Sequence, residues 1–185
     1  MDNNEITKQS ASQSHILAKT ARICFWVHIA TFLFSNTGIP LSLLFSGIHV
    51  VLMLRLGSVD PHFRTAGVAE AVSIAARLLI PTLPAGIWNI LRDVGIHGLN
   101  LLWAYYAFTG FSKALAQIDP HLSDKWRSSR NWYLCANAVA NTGIILYSYV
   151  ESLPKMLLTL AIFISVFMEI TICINYWKTA KIDKA

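Results

Sequence analysis

Six apolar runs, at residues 22–35, 39–56, 64–80, 85–111, 131–150 and 156–177, follow one another with only turn or charge signals between them. A helix needs about 20 predominantly apolar residues to cross roughly 30 Å of hydrocarbon. In that solvent each backbone amide must be satisfied inside its own segment or in a closed barrel. The runs therefore predict an all-α chain, a polytopic integral membrane bundle of about six transmembrane helices. Two runs are weak. The first is short unless Ile16, Leu17 and Ala18 extend it backward, and the third is short and holds Glu70 and Arg77. A five-span or re-entrant arrangement is the alternative there.

Direction follows from charge. The turns around Asn36-Thr37-Gly38-Ile39-Pro40 and Pro81-Thr82-Leu83-Pro84 carry none, whereas Lys8, Lys19, Arg22, Arg55, Arg64, Lys113, Lys125, Arg127, Arg130, Lys178, Lys181 and Lys184 occupy the alternate segments. Lys155 alone stands on the opposite side, and Arg77 and Arg92 fall within spans. Cytoplasmic segments collect Lys and Arg, so both termini are expected in the cytoplasm (N-in/C-in) and the chain in the cytoplasmic membrane. This asymmetry accounts for the net charge of +5 without nucleic acid as a partner. Trp126, Trp132, Tyr133, Tyr176 and Trp177 are expected at the inner interface, and Trp88, Tyr147 and Tyr149 toward the outer one, as an aromatic belt requires.

Composition agrees with a single membrane domain. Charged residues are 14% of the chain and hydrophobic ones 55%, where a soluble domain carries about 25% charged residues. The expected organisation is a disordered polar tail at 1–14, one transmembrane domain at 15–178 and a cytoplasmic tail at 179–185. No basic stretch leads into a small-residue cleavage site, so no cleaved signal peptide is expected. Cys24, Cys135 and Cys173 are odd in number and lie in apolar segments, which points to free thiols.

Asp-Pro-His followed by an apolar residue occurs at Asp60-Pro61-His62-Phe63 and again at Asp119-Pro120-His121-Leu122. Asp as N-cap with Pro in the first helical position satisfies the orphan amides and pre-sets φ, so helices are expected to start at both places. Duplication of a helix pair is a second reading, supported by the recurrence of Asn-Thr-Gly-Ile at 36–39 and 141–144. The two matches imply different offsets.

Ionisable residues inside the spans carry the functional expectation. Asn89, Asp93, His97 and Asn100 recur along one face of span four with Arg92 at its border, Glu70, Ser73 and Arg77 share a face of span three, and Ser165, Glu169, Cys173 and Tyr176 share one of span six. Charges at mid-span cost about 2.5–3.5 kcal/mol on insertion scales and mark solute, ion or proton pathways. A substrate or ion site is therefore expected from Asn89, Arg92, Asp93, His97, Asn100, Glu169, Glu70 and Arg77. The competing reading pairs Arg77 or Arg92 with an acid only to lock helix packing.

His28 and His49 lie at matching depth on neighbouring spans, where two imidazoles facing each other can bind haem iron or a metal. The plainer expectation is hydrogen bonding to Thr31, Ser42 or Ser46. A thiolate metal site from the three cysteines is weaker, since no Cys-x-x-Cys pair concentrates the ligands.

The chain holds no nucleophile elbow, zincin motif, phosphate loop or dinucleotide fingerprint, so an enzyme is not expected. The leading expectation is a small-solute or ion transporter or a membrane ligand-binding subunit. A non-catalytic accessory protein that joins a membrane-protein partner, and a His-ligated haem or metal protein, stand as alternatives. The expected partners are the lipid bilayer and a polar small molecule or ion.

Overall fold

The computed structural model describes residues 3–34, 41–80, 87–149 and 155–182. Among them are six α-helices and no strand: α1 (Asn3–Phe34), α2 (Leu41–Leu56), α3 (Pro61–Leu79), α4 (Ile87–Leu115), α5 (Pro120–Tyr149) and α6 (Lys155–Thr179). Short connections make successive helices antiparallel neighbours, and each helix packs on the next in sequence. α1 also meets α6. The six therefore close into an up-and-down ring, and this ring positions everything that follows. The stretch expected as a disordered tail is helical from Asn3 onward, as a continuation of α1. The turns at 36–40 and 81–84 lie outside the described residues, and with them one of the two Asn-Thr-Gly-Ile matches.

Both Asp-Pro-His segments are helix starts. Asp60 has extended backbone and accepts the His62 amide at 2.8 Å, with Pro61 opening α3. Asp119 accepts the Leu122 amide at 2.9 Å where Pro120 opens α5. Each aspartate satisfies an amide that has no partner in the first helical turn.

The end of the ring that carries these turns is filled with aromatic side chains. Phe111 stacks on Trp126 with ring centroids 4.3 Å apart, while Phe63 meets Phe111 edge-on at 4.8 Å and Tyr176 meets Trp126 at 5.4 Å. All four are buried, with Met53, Leu56 and Leu115 around them. Trp126 Nε1 donates to Thr179 Oγ1 at 2.9 Å, so the indole is satisfied where water does not reach. Glycine makes room in two places. A Cβ on Gly110 would stand 3.0 Å from the Phe63 ring, and one on Gly67 would stand 3.0 Å from Leu54 Cγ and 3.2 Å from its backbone nitrogen.

This plug corrects one expectation. Trp126, Tyr133 and Tyr176 belong to the interior, whereas Trp132, Trp177 and Trp88 are exposed. Nearness to a helix end does not decide which way a ring points; the helical period and the neighbouring helix do.

The outside of the ring is apolar. Val51, Leu79, Val139, Phe163 and Phe167 all project outward, and only 22% of the apolar window of α6 is buried. By length and composition two helices can cross a membrane, Ser12–Phe34 within α1 and Leu158–Thr179 within α6, and α2 holds a shorter apolar stretch, Leu43–Leu56. α3, α4 and α5 carry more charge: Glu70 and Arg77 in α3, Arg92 and Asp93 in α4, and Asp124 to Arg130 in α5.

Candidate functional site

A cavity of about 360 Å³ lies along the axis of the ring, above the plug, and takes lining residues from all six helices. The helical period explains which ones. Residues three, four or seven apart share a face, and the inward faces read His28 and Thr31 on α1, Ser46 and His49 on α2, and Glu70, Ser73 and Arg77 on α3. The remaining three helices supply His97, Asn100 and Trp103 from α4, Tyr133, Asn137 and Asn141 from α5, and Ser165 and Glu169 from α6.

Two histidine–glutamate pairs form the floor. His49 Nδ1 lies 2.8 and 3.0 Å from the two oxygens of Glu70, and its Nε2 lies 3.2 Å from the Tyr176 hydroxyl. An ionised carboxylate only accepts, so Nδ1 carries the proton, and toward a neutral imidazole the tyrosine hydroxyl is the donor to Nε2. The result is a continuous chain from Tyr176 through His49 to Glu70. His28 Nε2 pairs with Glu169 across the α1–α6 seam. The His28 and His49 ring centroids are 6.4 Å apart, and the Trp103 ring stands edge-on to His49 at 5.6 Å.

Higher in the cavity, Ser73 donates to Asn100 Oδ1 at 2.9 Å, and Asn141 donates to Asn137. Thr31 and Ser165 donate to carbonyls of their own helices, at 2.9 Å each. Three groups are left over. The buried Trp103 Nε1 and His97 Nδ1 have no hydrogen-bond partner, and Arg77 forms no ion pair, among the described residues. An unpaired buried polar atom costs about 1–3 kcal/mol, so Trp103 Nε1 and His97 Nδ1 are where a guest would gain most by binding, while Arg77 is an exposed residue of the lining. Charge is segregated along the axis, with both acids on the floor and Arg77 two turns further along α3, about 10 Å away at 1.5 Å per residue.

The structure brings Glu70, Arg77, His97, Asn100 and Glu169 together on one cavity, and leaves Asn89, Arg92 and Asp93 outside its lining. Arg92 stands 3.9 Å from its neighbour Asp93. Antiparallel counting from the Ser73–Asn100 bond brings the end of α3 level with the turn of α4 around Val94, so Asp93 and Asn89 stand past the last turn of α3. The two cavity acids take histidine partners, not Arg77 or Arg92.

His28 and His49 do face the same space, as their depth suggested, yet both nitrogens of His49 and Nε2 of His28 are engaged. No group of three or more His, Cys, Asp or Glu among the described residues is arranged to hold a metal ion. Cys24 is buried, Cys135 is exposed and Cys173 is intermediate. Sequence reasoning missed Trp103, Tyr133, Asn137 and Asn141. The two asparagines, spaced i and i+4 within an apolar span, were a readable signal; the aromatic pair had none. Comparison with known protein families, curated proteins and solved structures finds no match to this chain, so the site is read from its own geometry.

Proposed function

We propose that this chain is a multi-pass protein of the cytoplasmic membrane that binds a small polar or charged molecule inside its helix ring. It acts as a transporter or as a membrane-embedded ligand-binding subunit. In this reading all six helices span the bilayer and both termini are cytoplasmic. The carrying observation is one cavity with polar side chains from every helix inside an exterior of large apolar ones. Such a distribution suits lipid outside and a polar guest within. The size supports it, since ligand pockets run from about 300 to 1,000 Å³.

The basic segments lie at the plugged end, which the positive-inside rule assigns to the cytoplasm. A solute would then meet the cavity from the opposite side, and transport would require the Phe63, Phe111, Trp126 and Tyr176 cluster to repack. The His–Glu pairs are suited to hold or pass protons during such a cycle.

The test is native mass spectrometry of the full chain after gentle extraction, followed by flux assays in proteoliposomes. A bound molecule or a flux is expected, weakened about tenfold in Arg77→Gln and in His97→Ala, the loss of roughly one hydrogen bond to the guest in each. If both variants retain every binding and flux activity of the native chain, the cavity is a packing feature.

A further inference from the structure

The seam between α1 and α6 is the least extensive in the ring. On its outer side lies a groove of about 560 Å³ whose walls are apolar, with Trp26, Ile29 and Phe32 on α1 facing Val166, Ile170 and Ile174 on α6. Trp26, Phe32 and Ile170 are exposed along it. Measured from Phe25 to Leu33 on α1, the groove is about 12 Å long at 1.5 Å per residue.

Two residues belong to both spaces. His28 and Glu169 line the apolar groove, and they also line the axial polar cavity. Their side chains are 16% and 32% exposed. The pair is therefore the partition between the outer surface and the interior, and it lies midway along the groove. A water-soluble guest has no use for an apolar approach to this partition. A molecule that fills both spaces must be apolar along its length and polar at one end.

The cavity says what that end is. Trp103 Nε1 is a donor only, 8% exposed as a residue and unpartnered. Arg77, an exposed residue of the cavity lining on α3, across the ring from the α1–α6 seam, has no ion pair among the described residues, and His97 beside it has an unpartnered Nδ1. The free Trp103 donor and the unpaired Arg77 cation call for an acceptor-rich anion, and a guanidinium matches carboxylate and phosphate geometry best.

Resting on the reading of the cavity as a ligand site, we propose that the ligand is a single-chain lipid with an anionic head group. It enters sideways between α1 and α6, its chain in the groove and its head directed toward Arg77, His97 and Trp103.

The test uses the full chain in nanodiscs with a palmitate analogue bearing a chain diazirine, photolysed and mapped by peptide mass spectrometry. Labelling is expected on α1 between Phe25 and Leu33 and on the facing part of α6. Palmitate or lysophosphatidate should compete, and cetyl alcohol should not. Whichever anion competes better identifies the head group. Arg77→Gln should raise the half-competing concentration about tenfold, and Ile29→Trp, which fills the groove without touching the cavity, should abolish labelling. Equal competition by the alcohol, or labelling indifferent to both variants, would mean that bulk lipid merely solvates the groove and would overturn the proposal. Acetate or inorganic phosphate binding in an Arg77-dependent way, without any lipid labelling, would overturn the lateral route while leaving the polar site standing. If neither lipid nor small anion binds and no flux is found, both readings fail.

Discussion

His49 and Glu70 meet across the α2–α3 seam at 2.8 Å, with the His49 side chain 5% exposed and its second ring nitrogen bonded to Tyr176. Every polar atom of the imidazole is thus satisfied inside the ring. Removing either partner leaves a buried group with nothing in its place.

Glu70→Ala is expected to lower stability by about 1–3 kcal/mol, the cost of an orphaned buried donor. Glu70→Gln keeps an acceptor for His49 Nδ1 and should lose distinctly less. Thermal unfolding of the two variants in the same detergent compares them; equal losses would show that the bond to His49 is not what Glu70 supplies.

Tyr176→Phe preserves the ring packing against Trp126 and Phe111 and deletes only the hydroxyl. A loss of about 1–2 kcal/mol is expected from the unpaired His49 Nε2. In a Tyr176→Phe/His49→Phe double variant the two losses should be less than additive, as bonded partners are, and unfolding midpoints of the single and double variants measure the coupling.

Two glycines should respond in opposite directions. Gly67→Ala places a Cβ against Leu54, including its backbone nitrogen, and is expected to cost about 1–3 kcal/mol through overpacking. Around Gly47 no atom lies within 4 Å of an added Cβ, so Gly47→Ala should stabilise α2 by up to about 1 kcal/mol through helix propensity. The same unfolding assay reads both, and destabilisation by Gly47→Ala would contradict an open face at that position.

Single cysteines placed at Ser58 and at Thr82 in a chain with its native cysteines replaced should differ in labelling. Under the six-span reading, an impermeant maleimide added to intact cells modifies Thr82→Cys and reaches Ser58→Cys only after permeabilisation. Labelling of both from outside would remove the proposed topology.

Much of the architecture was readable from local pattern. Asp60-Pro61 and Asp119-Pro120 declared two helix starts because capping is settled within four residues. The apolar runs declared six helices because an apolar stretch of helical length between turn signals is legible segment by segment. His28 and His49 could be set at one depth because rise per residue is constant. Their carboxylate partners could not be found that way. Glu70 follows His49 by one helix turn-back, but Glu169 reaches His28 only because α6 closes the ring on α1, a contact between residues far apart in the chain.

The span-four stripe shows the same division. Asn89, Asp93, His97 and Asn100 look equivalent along one helix, and a helix by itself has no means to distinguish them. The neighbouring helix does: α3 ends near the level of Val94, and among the described residues His97 and Asn100 line the shared cavity while Asn89 and Asp93 do not. Trp103 and Tyr133 carry no sequence signal for the same reason: an aromatic at helical spacing is core, belt or cavity wall according to what stands opposite. Sequence alone determined the helical class, the helix starts and which residues are costly to expose to lipid, since these depend on solvent preference and local geometry. Only the tertiary structure decided which of those residues meet, because pairing depends on how the ring closes and at what height each helix stops.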